Sequence, residues 1–159
     1  MKFKKTERLI EGVEIKKLKK IITYDSHNKE NGWLIDILRA TDKIKKDGDK
    51  FAQIYVTTAY PGMVKGFHWH KKKVDIFCVI AGTAKLVLID DRENSPTKGS
   101  LNEFVMSEEG EYIVVLVPPY VKHAFKNVGK SIAYILNYMN PAHDPDDPDN
   151  YHWNDYEWD

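Results

Sequence analysis

Frequent Gly, Pro, Asn and Asp residues divide this chain into short apolar or alternating runs, which is the pattern of an all-β protein. The runs predict strands over Val13–Leu18, Trp33–Leu38, Phe51–Thr57, Met63–Trp69, Ile76–Ala81, Ala84–Asp90, Glu103–Met106, Tyr112–Val117, His123–Lys126 and Ala133–Met139. About ten strands in one small domain have to close into a barrel or pack as a sandwich, because open sheet edges favour aggregation. A tight hairpin is predicted at Gly82-Thr83, and a short helix over Ala40–Asp47 that ends at Gly48.

Length and charge exclude several classes of protein. The 159 residues suffice for one domain with a real core. Basic and acidic residues number 24 each, so the overall charge gives no reason to expect nucleic acid or a membrane surface as a partner. Cys78 is the only cysteine, which excludes an internal disulfide. No signal peptide or membrane-spanning run is visible, and we expect a cytoplasmic protein.

Residues 141–159 predict an irregular acidic tail. Three prolines, at 141, 145 and 148, stand among Asp and Asn residues and exclude regular structure. The tail also carries four aromatic residues that are costly to leave in water: Tyr151, Trp153, Tyr156 and Trp158. We therefore expect the tail to pack back onto the barrel, where it could cover a site.

Four metal-ligating side chains have a spacing that predicts convergence. His68 and His70 are separated by one residue, so on a strand they share a face. Asp75 follows five residues later and can start the next strand, and His123 would complete the set from a distant strand. Three imidazoles and one carboxylate suit Fe, Mn, Ni, Zn or Co, and no organic cofactor is expected. Barrel-lining histidines that bind no metal are the alternative.

The same residues resemble the two motifs of the cupin superfamily. The first is matched from Gly62 through His68 and His70 to Gly82, with Asp75 where Glu is usual. The second is matched from Pro118 through His123 to Asn127, with Tyr120 where Gly is usual. The resemblance implies a double-stranded β-helix, or jelly-roll, barrel.

A larger part of the chain is similar to one cupin family, the dTDP-4-dehydrorhamnose 3,5-epimerases. Lys65-Gly66-Phe67-His68 resembles the family's Arg-Gly-Leu-His signature. Further matches lie at Asn31-Gly32-Trp33, Phe51-Ala52-Gln53, Asp91-Arg92, Ser95-Pro96-Thr97-Lys98-Gly99, Val117-Pro118-Pro119, His123-Ala124-Phe125 and Trp153-Asn154-Asp155. Because these matches run in consistent order, the resemblance covers about Asn31 to Asp155.

The resemblance implies roles for individual residues. His68 matches the family's general base, and Asp155 matches the carboxylate that orients it. Lys65 matches a phosphate-binding arginine, and the matched segments also imply that Gln53, Arg92 and Asn137 bind substrate. The family's enolate-stabilising Lys falls at Asp75. The tyrosine that acts as the acid on the opposite face in that family falls near Asn137. Tyr138, one residue further on, can take its place only if the strand has a bulge.

The metal hypothesis and the epimerase resemblance both use His68. A metal held by His70 and Asp75 could stabilise an enolate in place of the family's Lys. If His68 is itself a ligand, however, it cannot be the base, and Tyr138, Tyr60 or Asp155 would have to act instead. The sequence leaves both assignments open.

The resemblance implies an epimerase or isomerase that removes a proton next to the carbonyl of a nucleotide-activated keto-sugar in polysaccharide or deoxysugar biosynthesis. The alternatives are a metal cupin of another reaction class, such as a dioxygenase or sugar-phosphate isomerase, and a non-catalytic sugar-binding relative. We also expect a homodimer with the strands of residues 1–40 at its interface, since family relatives exchange such strands.

Overall fold

The computed structural model describes residues 3–48, 50–110, 112–146 and 156–158, and all regular secondary structure in these residues is β-strand. The strands are β1 Lys4–Lys5, β2 Glu14–Lys17, β3 Ile21–Tyr24, β4 Glu30–Leu34, β5 Gln53–Ala59, β6 Val64–His68, β7 Val74–Ala81, β8 Thr83–Ile89, β9 Ser100–Ser107, β10 Ile113–Val117, β11 Lys122–Asn127 and β12 Ala133–Asn140. Each predicted strand overlaps one of these, while β1 and β3 were not predicted. The described residues contain no helix that could cross a bilayer.

Two five-stranded sheets pack face to face, as the all-β pattern predicted. The first sheet has the order β1-β9-β8-β11-β6 and the second has the order β2-β10-β7-β12-β5. Strands β3 and β4 form a separate antiparallel pair outside both sheets. In this jelly-roll arrangement β5 and β6 are the last strands of their sheets, so the chain passes from one wall to the other between them.

The sandwich core consists of inward-facing residues from both sheets. Phe77 and Val79 on β7 point inward, whereas Ile76 and Cys78, which alternate with them, belong to a second apolar cluster on the outer side. A strand buried on both faces needs a continuous apolar run, and Ile76–Ile80 is such a run. Burial of the Cys78 thiol raises its pKa to about 12, so this cysteine is an inert core residue.

The outer face of the second sheet is covered by residues 35–48, which form turns instead of the helix predicted over Ala40–Asp47. Side chains from other elements hold these turns. Lys16 Nζ lies 2.5 Å from Asp42 Oδ2, and the Tyr138 hydroxyl donates to Asp47. The helix prediction was wrong because these tertiary contacts outweigh the weak local preference of a short, mostly polar segment.

Residues 156–158 of the tail pack onto the outer face of the first sheet. The rings of Tyr156 and Trp158 lie 6.3 and 6.1 Å from the ring of Phe67, and the Tyr156 hydroxyl donates to Glu103 Oε1 at 2.6 Å. Residues 141–146 contain no regular element, as expected. The remaining residues named for the tail, Pro148, Tyr151 and Trp153, lie outside the described residues.

Gly82 marks a crossing between sheets and not the predicted hairpin. Strand β7 ends at Ala81 in the second sheet, and β8 begins at Thr83 in the first sheet, so the two do not pair. Gly82 has a φ of 78°, and a Cβ atom there would lie 2.7 Å from the Ile132 carbonyl oxygen and 2.9 Å from the Ala133 Cα. Only glycine fits such a turn, because both the backbone conformation and the space exclude a side chain.

This crossing predicts a specific loss of stability. Gly82→Ala should lower the free energy of unfolding by about 2–4 kcal/mol, since it adds a clash with β12 to the cost of a left-handed backbone. Gly99→Ala is the matched control, because Gly99 has a φ of 84° but no atom within 4 Å of the added Cβ. It should cost only about 1–2 kcal/mol. Urea unfolding of both variants measures the difference, and equal losses would contradict the clash.

Candidate active site

A cavity of about 370 Å³ lies between the two sheets, next to their β5 and β6 edges. Both walls contribute side chains at alternate strand positions, because inward-facing residues recur with period two. The lining residues are Gln53, Tyr55, Thr57, Lys65, His68, His70, Asp75, Phe77, His123, Phe125, Asn137, Met139 and His143. All four predicted metal ligands are therefore in one cavity.

His70 is held by the connection between β6 and β7. Strand β6 ends at His68, so His70 lies just beyond the strand on which it was predicted. The Tyr120 N–H donates to the His70 carbonyl at 2.8 Å, and the rings of Trp69 and Tyr120 stack with centroids 5.7 Å apart. The two motif segments thus support each other through backbone and ring contacts.

Three of the predicted ligands form a compact buried cluster. One ligand atom each from His70, Asp75 and His123 lies within 4.8 Å of the others. His70 Nε2 is 2.8 Å from Asp75 Oδ2, and His123 Nε2 is 3.8 Å from the same oxygen. Strands β7 and β11 supply Asp75 and His123 from opposite walls, so the cluster joins the two sheets.

The protonation state of His123 follows from its surroundings. Its Nδ1 lies 3.1 Å from the Val121 carbonyl, which can only accept, so Nδ1 carries the proton and Nε2 presents a lone pair. Burial lowers the pKa of His123 to about 4, and this imidazole is neutral at pH 7. A lone pair therefore faces the Asp75 carboxylate.

Asp75 is a buried carboxylate at the bottom of the cavity. Burial on its own would raise the pKa of Asp75, but the nearby imidazoles and a hydrogen bond from Asn137 bring it below the ordinary value. Asp75 Oδ2 has no hydrogen-bond partner in the described part of the chain, although it lies 2.8 Å from His70 Nε2. An unsatisfied carboxylate oxygen opposite a nitrogen lone pair fits a divalent cation, and two nitrogens with one oxygen suit a first-row metal.

His68 lies in the same cavity but apart from this cluster. It is opposite His123 in the register of β6 and β11, and the two ring centroids are 6.3 Å apart. The structure thus brings together three of the four predicted ligands and leaves His68 outside the group. The metal ligands and the general base can therefore be different residues.

Asn137 connects Asp75 with a tyrosine that was not predicted. Asn137 Nδ2 donates to Asp75 Oδ1 at 2.8 Å and to the Tyr55 hydroxyl oxygen at 3.0 Å. Asn137 is almost fully buried, so its amide is fixed in place by these two bonds. The predicted substrate-binding residue therefore also orients two other side chains of the cavity.

Tyr138 does not belong to the site, and its predicted catalytic role is wrong. The side chain lies in the apolar cluster on the outer face of the second sheet, where its hydroxyl contacts Asp47 and the Lys50 carbonyl. The irregularity in the pairing of β12 with β7 occurs between Tyr134 and Ile135, so it does not turn Tyr138 inward. Neighbouring strand residues point to opposite faces, and Asn137 takes the inner one.

The other predicted residues divide into two groups. Gln53 and Lys65 line the cavity, and Lys65 Nζ contacts Thr57 Oγ1 on the adjacent wall. Arg92 does not line it, which contradicts its predicted contact with substrate: its guanidinium binds Asp90 and the Glu11 carbonyl and fixes the turn before β9. Tyr60, one of the three alternative bases, is exposed and does not line the cavity either.

Asp155, the predicted partner of His68, lies outside the described residues. Several lining residues were missed in the sequence: Tyr55, Thr57, Phe77, Phe125, Met139 and His143. Alternation along β5 could have indicated two of them, because Tyr55 and Thr57 follow Gln53 at period two. His143 follows β12, and its N–H donates to Gln53 Oε1 at 2.7 Å.

Comparison with known sequences links this cavity to a described family. Residues 27–151 match the family called polysaccharide biosynthesis C-terminal domain. The spore coat polysaccharide biosynthesis protein SpsL of Bacillus subtilis is 31% identical over 141 residues, which are 89% of this chain and 87% of that protein. The probable low-salt glycan biosynthesis epimerase Agl13 of Haloferax volcanii is 32% identical over 122 residues, 76% of each chain.

Comparison with solved structures gives the same result. A dTDP sugar isomerase from Desulfovibrio desulfuricans has a TM-score of 0.75 and 27% identity, covering 87% of this chain and 82% of that one. A dTDP-4-dehydrorhamnose 3,5-epimerase from Sulfolobus tokodaii shares the fold with a TM-score of 0.71 at 22% identity, covering 92% of this chain and 80% of that one. The chain belongs to the polysaccharide biosynthesis C-terminal domain family, and it has the cupin fold that its resemblance to the 3,5-epimerases predicted.

Proposed function

We propose that the protein is an epimerase or isomerase that acts on a nucleotide-activated keto-sugar by removing the proton next to the carbonyl. The observation that carries this proposal is the separation of His68 from the cluster of His70, Asp75 and His123 within one cavity. His68 lies outside this cluster and is the imidazole proposed for proton transfer, whereas His70 and His123 lie beside the buried Asp75 carboxylate. The names of the relatives, a sugar isomerase and a probable glycan epimerase, support the same reaction class.

His68 is the proposed base. An imidazole titrates near neutral pH, which suits a group that both takes and returns a proton. Phe77 and Phe125 line the same cavity and reduce the water around a carbon acid.

Lys65 is the proposed contact for the nucleotide phosphates. It is the only Lys or Arg among the described residues that line the cavity. Its Nζ lies at the edge between β5 and β6, next to Thr57 and 3.2 Å from the Thr58 carbonyl. A point charge at this rim would attract the anionic part of a substrate whose sugar occupies the interior.

We also propose that His70, Asp75 and His123 hold a divalent first-row metal. When bound, such an ion supplies a Lewis acid for the ketone oxygen, in the position where the resemblance puts a Lys. His68 stays outside this set in our proposal, so the proton transfer belongs to the protein's own imidazole.

The base is tested by hydrogen exchange. In deuterated water, the protein should place deuterium next to the carbonyl of dTDP-4-keto-6-deoxyglucose, and His68→Asn should slow this exchange by about 10²–10⁴-fold, the usual contribution of a general base. His143→Asn is the control, because His143 also lines the cavity. NMR of the sugar protons measures both rates. Loss of exchange in the His143 variant and not in the His68 variant would contradict the assignment.

The metal is tested by elemental analysis of protein purified without added metal. We expect about one divalent ion per chain in the wild type, because a three-residue set of this kind holds one ion. The ion should be lost in Asp75→Asn and retained in His68→Asn, since Asp75 belongs to the cluster and His68 does not. Metal-free wild-type protein, or equal loss in both variants, would refute the proposed ligand set.

We propose, in addition, a homodimer that covers the β3–β4 pair. A two-stranded sheet is marginally stable by itself, and this one exposes Ile21, Ile22, Trp33 and Leu34. An apolar groove lined by residues 34–38 and by Ile54, Ile76 and Leu136 lies next to it. Contiguous exposed apolar surface of this kind is typical of an interface.

Light scattering at micromolar concentration tests the dimer. The wild type should have twice the chain mass, and Ile22→Lys should yield monomer because it puts a charge in the apolar contact. Val105→Lys is the control, since Val105 is similarly exposed on β9 of the first sheet. A monomeric wild type, or a monomer produced only by the control, would rule out this interface.

A further inference from the structure

Tyr55 occupies the cavity wall opposite His68. It lies on β5 of the second sheet, whereas His68 ends β6 of the first sheet, and both side chains line the same cavity. In the pairing of β12 with β5, Tyr55 stands directly across from Asn137. Cross-strand partners share a face of the sheet, so the phenol projects inward from the strand beside the position that the resemblance gives to a catalytic tyrosine.

The hydroxyl oxygen of Tyr55 is positioned by Asn137. Its oxygen accepts a hydrogen bond from Asn137 Nδ2, so its own proton is not used in that bond. A donor to the phenol oxygen also stabilises the negative charge that remains after a proton has left. Tyr55 as a residue is 39% exposed, so solvent can return the proton afterwards.

Inversion at a carbon next to a ketone requires two groups on opposite faces. The base removes the proton from one face, and an acid has to deliver a proton to the other. The two walls of this sandwich supply such a pair in His68 and Tyr55. No other tyrosine lines the cavity among the described residues, because Tyr138 faces outward and Tyr60 is at the surface.

We propose that Tyr55 is the catalytic acid that protonates the enolate on the face opposite His68. The C–H bond breaks as His68 takes the proton, and its electron pair forms the enolate. The Tyr55 O–H bond then breaks, a new C–H bond forms on the other face, and the phenolate regains a proton from water while His68 releases one. The inference rests on the proposed function and names the residue that replaces the family's tyrosine.

Tyr55→Phe should slow inversion of the sugar without abolishing hydrogen exchange. With dTDP-4-keto-6-deoxyglucose in deuterated water, the variant should form inverted product at least about 100-fold more slowly than the wild type, which is the low end of the contribution expected from an acid. Deuterium should still enter the starting sugar with unchanged configuration, because His68 can remove and return a proton on its own face. Binding of dTDP, followed by calorimetry, should remain within about threefold of wild type, and this checks that the cavity is intact.

Tyr60→Phe is the matched control and should leave inversion and exchange unchanged. Inversion at wild-type rate in Tyr55→Phe would overturn the role of Tyr55 and leave the proposed function standing. Equal loss of exchange and inversion, with dTDP binding retained, would likewise overturn it, since an acid on the second face is not needed for exchange on the first. Exchange without inversion in the wild type would also contradict the inference. Absence of any exchange in the wild type would contradict the proposed function itself.

Discussion

The buried carboxylate of Asp75 is the constraint on which the arrangement of the cavity depends. A charge taken out of water is costly unless groups around it compensate. Asp75 is only 1% exposed, and its neighbours come from three separate parts of the chain: His70 after β6, His123 on β11 and Asn137 on β12. The two sheets must therefore keep their registers for this one side chain to be tolerated.

The inner surface of the sandwich is polar at one end and apolar at the other, because Asp75 needs polar partners only where it is buried. Away from the β5 and β6 edges, Leu86, Leu88 and Val115 fill the space between the sheets. Toward those edges, the inward positions of β7 and β12 change to Asp75 and Asn137, and close packing gives way to a cavity. Strand alternation thus continues unchanged while the chemistry of the inward residues changes.

Much of this fold could be predicted because the determining signals are local. A strand such as β7 is visible as a continuous apolar run, and the chain turns where Gly82 stands. Which strands pair cannot be read from the sequence, since a glycine between two strands fits a hairpin as well as a crossing between sheets. The turns of residues 40–47 were missed for a related reason: Lys16 and Tyr138, distant in sequence, determine their shape.

The site shows the same division between local and distant information. The cluster of His70, Asp75 and His123 was predictable, because fixed spacing puts its members at strand ends. The position of Arg92 was not, since its Asp90 partner turns it into a structural residue. Alternation along β5 could place Tyr55 on the inner face, but its contact with Asn137 depends on the register of β5 against β12, which joins residues 82 positions apart.

Tyr120 has a consequence for the rigidity of the cavity. It has a φ of 65°, a left-handed conformation that favours glycine, at the position where the related motif has Gly. A tyrosine held in this conformation costs about 1–2 kcal/mol more than a glycine would, so other contacts of the turn have to offset that cost. The Tyr120 N–H donates to the His70 carbonyl, and the Tyr120 ring stacks on Trp69. The side chain that makes the turn costly is thus also the one that ties it to the segment carrying His70.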